Sequence, residues 1–200
     1  MNPVTASRSY TKVARARAEE RTRTALLDAA DAAFFDGRWA QTSLAEMATT
    51  AGVTKQTLLR HFGSKDGLLE EAWARGMQQV RDQRWGAPTN DLPGAVDNLL
   101  DHYEEVGERA MKIAAYTGGG GDLTELGRVA RQLHYDWVDH AFGTWLARLG
   151  RKRRARCRAA LIALCDVHTW WLLSHDLGLA RAEVRATLIQ SIEGLLEGGK

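Results

Sequence analysis

The chain has 200 residues, 44% of them hydrophobic and 26% charged, and a formal net charge of +2. This length buries a core without metal or disulfide staples, and the composition excludes a disordered or membrane-embedded chain. Global charge does not mark a polyanion binder, but its distribution is uneven: before Leu26 stand Arg8, Lys12, Arg15, Arg17, Arg21 and Arg23 against only Glu19 and Glu20, a local surplus that suits a polyanionic partner.

No segment alternates apolar and polar residues as a half-buried strand does, whereas helical spacing recurs nearly everywhere. The predicted fold class is therefore all-α. Residues 1–18 read as a basic flexible arm, either solvated or laid along a nucleic-acid groove. The first helix is expected from about Ala18 to Phe35, with Leu26, Ala30 and Phe34 on one face and Gly37 as its stop. Ser43-Leu44-Ala45-Glu46 is a capping box that opens a short helix to Thr50. Ala51-Gly52-Val53 forms a tight turn, Thr54 caps another short helix ending at Phe62-Gly63, and Ser64 caps a helix from Lys65 to about Arg84. Pro88 and Pro93 bracket a loop. Long helices are then expected from Gly94 to about Tyr116, Leu123 to Leu149, Arg151 to Leu177, and Arg181 to Leu196. Gly118–Gly121 interrupts the first two and reads as a flexible link. It is no phosphate loop, because neither a preceding strand nor a Lys-Ser/Thr ending is present.

Cys157 and Cys165 are eight residues apart on one predicted helix, which places their α-carbons about 12 Å apart at ~1.5 Å per residue. A disulfide needs less than ~7 Å, so reduced thiols and a cytoplasmic location are expected. Cys157 lies beside arginines; it is either an oxidant-sensitive thiol or a packed one. Residues 1–20 lack a secretory apolar run. The longest apolar stretch, around Leu161–Leu173, carries Asp166 and His168 and is too short to span a bilayer. No membrane partner is expected.

The segment Ser43–Phe62 carries the functional signal: two short helices joined by a tight turn. Leu44, Met47, Val53 and Leu58 can share one small core, and the second helix then offers Thr54, Lys55, Gln56, Thr57 and Arg60 outward. Lysine and arginine suit guanine, glutamine suits adenine, and threonine suits the thymine methyl. Such a helix fits a major groove. A plain helical hairpin with solvated polar residues has the same outline.

Residues from about Arg21 to Trp73 resemble the N-terminal domain of the TetR (tetracycline-repressor) family. The matching motifs are Leu26-Leu27-Asp28-Ala29-Ala30 with Phe34 and Gly37, Thr42-Ser43, Leu44-Ala45-Glu46-Met47-Ala48, Ala51-Gly52-Val53-Thr54-Lys55, Thr57-Leu58, and His61-Phe62-Gly63-Ser64-Lys65-Asp66-Gly67-Leu68-Leu69. The resemblance implies a DNA-binding domain at 19–81, with its helix-turn-helix at 43–62, and a helical ligand-sensing and dimerisation domain at 82–200. It implies that Lys55, Gln56, Thr57 and Arg60 lie on a recognition helix, that a backbone amide at Thr42 or Ser43 meets a phosphate, and that Lys65 holds another. Two positions depart from the family: Gln56 stands where a small residue is usual, and Leu59 where a tyrosine often contacts phosphate.

In the second half, Leu161, Leu164, Trp171 and Leu172 on one helix and Val184, Leu188, Ile192 and Leu195 on the next form apolar stripes. They resemble the family's dimerisation pair, although stripes of this kind also close a monomer's own core. Seven tryptophans are many for this length. Aromatic residues with a few polar groups suit a small-molecule pocket, for which Tyr103, His134, Trp137 and Trp170 are the candidate lining; ordinary core packing is the alternative. Asp136 and His140 are four apart but have no third ligand, so no metal and no cofactor are expected. The run Arg151–Arg154 with Arg156 and Arg158 reads as a solvated helix start. These features imply a homodimeric repressor that binds a palindromic site in double-stranded DNA, responds to a small-molecule effector, and is not an enzyme. A helical-bundle enzyme or cofactor carrier, with a helix-turn-helix used only for protein contacts, is the alternative; no nucleophile–base set supports it.

Overall fold

The computed structural model describes residues 3–116 and 123–198; the predicted link at Gly118–Gly121 lies outside them. Among the described residues the chain is helical with no strand: α1 Pro3–Phe35, α2 Leu44–Thr50, α3 Lys55–Phe62, α4 Lys65–Arg84, α5 Leu92–Tyr116, α6 Leu123–Ala147, α7 Arg151–Leu164, α8 Val167–Trp171, a π-helical turn Leu172–Asp176, and α9 Arg181–Glu197. The all-α expectation holds. The chain divides into two compact units, Met1–Gly76 and Met77–Lys200, the boundary falling inside α4.

Three boundaries differ from the sequence reading. The arm expected at 1–18 is helix from Pro3 onward. Proline is tolerated in a first turn, and the alanines, arginines and glutamates that follow are good helix formers with no glycine before Gly37. The helix α5 starts at Leu92, so Pro93 lies in its first turn, where a missing amide hydrogen is not needed. The single helix expected from Arg151 to Leu177 is broken. It stops at Leu164, and the Asp166 carboxylate accepts the His168 amide (2.9 Å) to start α8. That local bond competes with continued helical pairing.

In the first unit, Leu26, Leu27, Ala30 and Ala33 of α1 pack with Met47, Ala48, Leu58, Phe62, Leu68 and Ala72. Burial of each large apolar side chain contributes ~1.5–3 kcal/mol. Arg75 of α4 reaches Asp28 and Asp31 of α1, both at 2.8 Å, and Arg23 pairs with Glu71.

In the second unit, Trp137 and Phe142 of α6 are fully buried with Leu99 and Leu100 of α5, Leu161 of α7, and Leu188 and Ile192 of α9. Ion pairs tie the helices at the rim. Arg185 of α9 grips Asp97 of α5 through two bonds (2.6 and 3.0 Å), Arg181 reaches Asp101 and Glu104, and Arg158 of α7 grips Asp139 of α6 (2.6 and 2.8 Å). Arg154 donates to the carbonyls of Leu146, Ala147 and Leu149, satisfying groups that a helix end leaves open. Arg153 donates to the carbonyl of Leu196. The basic run expected to be merely solvated is therefore partly structural.

The stripes expected to pair two subunits divide in two. Leu161, Val184, Leu188 and Ile192 are at most 1% exposed within one chain. They are spent on the protomer's own core and are corrected to core residues. Leu172 is exposed, while Leu164, Trp171 and Leu195 are half-buried and pack against the same core.

Packing is close where α5 meets α8. A β-carbon on Gly107 would stand 2.3 Å from the Trp170 ring, which is itself hemmed in by Tyr103 and His175. Alanine in a helix interior is ordinarily worth about 1 kcal/mol over glycine. Here the clash reverses the sign: Gly107→Ala is expected to lower stability by ~1–3 kcal/mol, read as a reduced midpoint in urea unfolding.

Candidate functional site

The outward face of the first unit is built around α3. Eight residues cannot hold a helix in water, so its form is set by anchors. Leu58 is fully buried and Phe62 is 7% exposed. Thr54 caps the N-terminus, its hydroxyl accepting the Thr57 amide at 3.2 Å, and Gly63 closes the C-terminus at φ +73°, a left-handed conformation that favours glycine. Leu44 and Val53 pack against the same core. With that side turned inward, Lys55, Gln56, Leu59 and Arg60 share the exposed side. Thr57 is half-buried, and its hydroxyl bonds that of Thr54 at 3.0 Å. His61 packs beside Phe62, ring centres 6.0 Å apart.

The preceding helix is held by the expected capping box. The Ser43 hydroxyl accepts the Glu46 amide at 3.2 Å, and the Glu46 carboxylate accepts the Ser43 amide at 2.7 Å. This bond from Ser43 holds the Glu46 carboxyl below its ordinary value. Gly52, at φ +70°, makes the turn between α2 and α3.

Three expected contacts are engaged internally. The Thr42 amide donates to the Arg38 carbonyl at 2.9 Å and the Ser43 amide is held by Glu46. The backbone donors foreseen there for a phosphate are thus used within the chain, and the outward donor is the Ser43 hydroxyl. The Lys65 ammonium donates to the carbonyls of Trp39 and Thr42 and lies over the Trp39 ring, 4.9 Å from its centre. Two of its three hydrogens pin the loop before α2, which leaves one for any other acceptor.

Residues 26–72 match the family model described as bacterial regulatory proteins, tetR family. A curated relative, the HTH-type transcriptional regulator BetI 1 of Chromohalobacter salexigens, is 31% identical over 134 residues, 62% of this chain and 66% of the relative, just short of two thirds of its length. Residues 26–72 are a TetR-family segment. The fold agrees: a crystal structure of a TetR-family regulator from Streptomyces coelicolor A3 superposes with a TM-score of 0.50 over 89% of this chain and 96% of that one, at 18% identity.

The second unit brings together all four residues expected to line a pocket. Tyr103, Trp137 and Trp170 are buried, and His134 is partly so. Tyr103 lies 5.5 Å from Trp170, and His134 stacks on Trp137 at 6.4 Å. Their polar atoms are tied to the backbone. The Tyr103 hydroxyl donates to the Cys165 carbonyl (2.9 Å), the Trp137 indole to the Arg84 carbonyl (3.0 Å), and the His134 Nε2 lies 2.9 Å from the Ile162 carbonyl.

Two further residues join this cluster. Arg84 is 3% exposed and His102 is 6% exposed. The Arg84 guanidinium lies 4.0 Å from the Trp137 ring centre and 5.7 Å from that of Tyr103. A basic residue in a last helical turn has an ordinary explanation in the helix dipole, so the sequence carries no signal of its burial. Cys157 and Cys165 are both free and buried. Burial pushes the Cys165 thiol up to about 12, and Cys157 lies within the core with its Sγ 3.7 Å from the Leu195 carbonyl, the setting of a packed thiol.

Burial, with the Arg84 charge second, pushes His102 down to about 3. His134 moves the same way, also from burial first and Arg84 second. An unfolded histidine titrates near 6.5. Between these values the unfolded chain binds the extra proton, so the His102 contribution is complete above pH ~6.5 and is lost on acidification towards about 3, by up to ~1.4 kcal/mol per pH unit. His102→Gln is expected to flatten the fall in urea midpoint between about pH 6.5 and 4 relative to the unaltered chain.

Proposed function

We propose that the chain is a DNA-binding transcriptional repressor that reads a palindromic operator as a homodimer and leaves it when a small molecule binds its second unit. The observation that carries the reading is the polar face of α3. Lys55, Gln56 and Arg60 stand in solvent on a helix fixed at both ends and anchored by Leu58 and Phe62. Lysine and arginine supply charge for phosphate or guanine, and Gln56 supplies the paired donor and acceptor that adenine requires. Thr42, Ser43, Thr54, Thr57 and Lys65 border this face and serve to position it.

One such helix reads only a few base pairs, and two-fold pairing sets a second at one helical turn, about 34 Å, or a multiple of it. The surface offered for pairing centres on exposed Leu172 and Leu177, flanked by the half-buried Leu164, Trp171 and Leu195. Leu172 and Leu177 are 49% and 60% exposed, high values for leucine. An effector held among Tyr103, His134, Trp137 and Trp170 would act by favouring a spacing of the two reading helices that misses successive grooves.

A gel-shift titration against duplexes taken from the region beside the chain's own coding sequence, at several salt concentrations, tests the reading. Binding is expected to be tight, to favour a short palindrome, and to weaken with salt. Lys55→Ala is expected to weaken binding, and Gln56→Ala to relax preference at one base pair by ~1–3 kcal/mol. Equal binding of every sequence by all three proteins would refute a specific reader.

A further inference from the structure

We infer that the second unit holds a site for a small organic acid, and that the Arg84 guanidinium is the group that recognises its carboxylate. The inference deepens, and rests on, the reading of this unit as the sensing half.

Arg84 is a cation 97% removed from solvent, the complement of its 3% exposure. Its Nε and Nη2 are buried and have no hydrogen-bond partner, although arginine carries a planar fork of donors that fits a carboxylate through two parallel bonds. Arg23, Arg75, Arg158, Arg181 and Arg185 each meet a carboxylate, whereas no described carboxylate pairs with Arg84. No nearby acid forms a direct ion pair with it. Burial pushes the Tyr103 phenol up to about 12 against the opposing pull of the Arg84 charge and a hydrogen bond with Arg84, and pushes the Cys165 thiol likewise to about 12, so both are neutral at neutral pH and neither is a counter-ion. Asp166 uses its Oδ1 on the His168 amide and ring. The faces of Trp137 and Tyr103 offset part of the charge, but a ring quadrupole is a weak substitute for a counter-ion. A charge buried this deeply is ordinarily paired.

The surroundings define the rest of the ligand. His134 directs Nε2 at the Ile162 carbonyl. A carbonyl only accepts, so Nε2 carries the ring hydrogen and the neutral ring's Nδ1 is an acceptor, buried and without a partner. Trp137, Tyr103 and Trp170 supply aromatic walls. An acid with an aromatic or long apolar body matches the charge and the walls, and a hydroxyl carried on that body would donate to the free Nδ1. An inorganic anion would leave the aromatic surface unused, and an amide would leave the charge unanswered.

The test measures binding without DNA, by thermal unfolding and tryptophan fluorescence of the full chain at constant ionic strength. The probes are benzoate, hexanoate, benzamide and sulfate at millimolar concentrations. Benzoate or hexanoate is expected to raise Tm saturably and alter the emission, while benzamide and sulfate do neither. Arg84→Met removes the fork while keeping the bulk, and is expected to abolish the response to the acids. Arg84→Lys, which keeps the charge at its most conservative, guards against a methionine variant that does not fold. It is expected to keep the preference for acid over amide with at least tenfold weaker binding. Absence of any saturable response to both acids, equal response to benzamide or sulfate, or an unchanged response in both variants would overturn the site. Acid binding that leaves the operator complex intact would remove the proposed response but keep the site. Sequence-specific DNA binding without acid binding would remove the site but keep the reader.

Discussion

The geometry of the first unit depends on burying one side of a helix too short to exist alone. With eight residues, α3 gains almost nothing from its own hydrogen bonding. It is held because Leu58 and Phe62 enter a core made by α1, α2 and α4. That burial decides which side faces water, and therefore places Lys55, Gln56 and Arg60 together. The neighbouring contacts serve the same end. Glu46 and Ser43 fix α2, Lys65 pins the loop before it, and Arg75 and Arg23 bind α4 to α1. These surface ion pairs are individually worth little. Arg75 bridges two aspartates at once, which fixes a direction as well as supplying attraction.

How much was legible in the sequence follows the range of the forces involved. Capping and turns are local, so Ser43 with Glu46, Gly52, Thr54 and Gly63 marked α2 and α3 correctly. Helical period was legible too, and with it the all-helical fold. Period says that a face is apolar but not whose core receives it. Leu161, Val184, Leu188 and Ile192 were therefore assigned to a subunit interface, whereas the structure uses them inside one chain. The break after Leu164 was missed because Asp166 was read only as an interruption of an apolar run, although its carboxylate caps α8. The arm was missed for the opposite reason: charge suggested solvation, and helix propensity outweighed it.

The four aromatic and histidine residues singled out in the second half do lie together, and their abundance was the usable signal. The residue at their centre was not legible. Arg84 ends a helix whose last turn also carries Arg81, an unexceptional pattern. Its burial is created by Trp137 and Tyr103, which arrive from other helices. A long-range contact of that kind leaves no trace in spacing or composition.

Arginine and lysine thus work in two regimes in this chain. On α3 they stand in water, where attraction to an anion is weak, screened by salt, and effective only in numbers. Arg84 is removed from water, where one charge is far stronger and nearly blind to bulk salt. The first regime suits a long polyanion read at many points, and the second a single small acid. Salt is expected to loosen the proposed grip on DNA while leaving affinity for the proposed acid almost unchanged. The two functions would then separate along one experimental variable, a consequence of where the chain puts its cations rather than of how many it has.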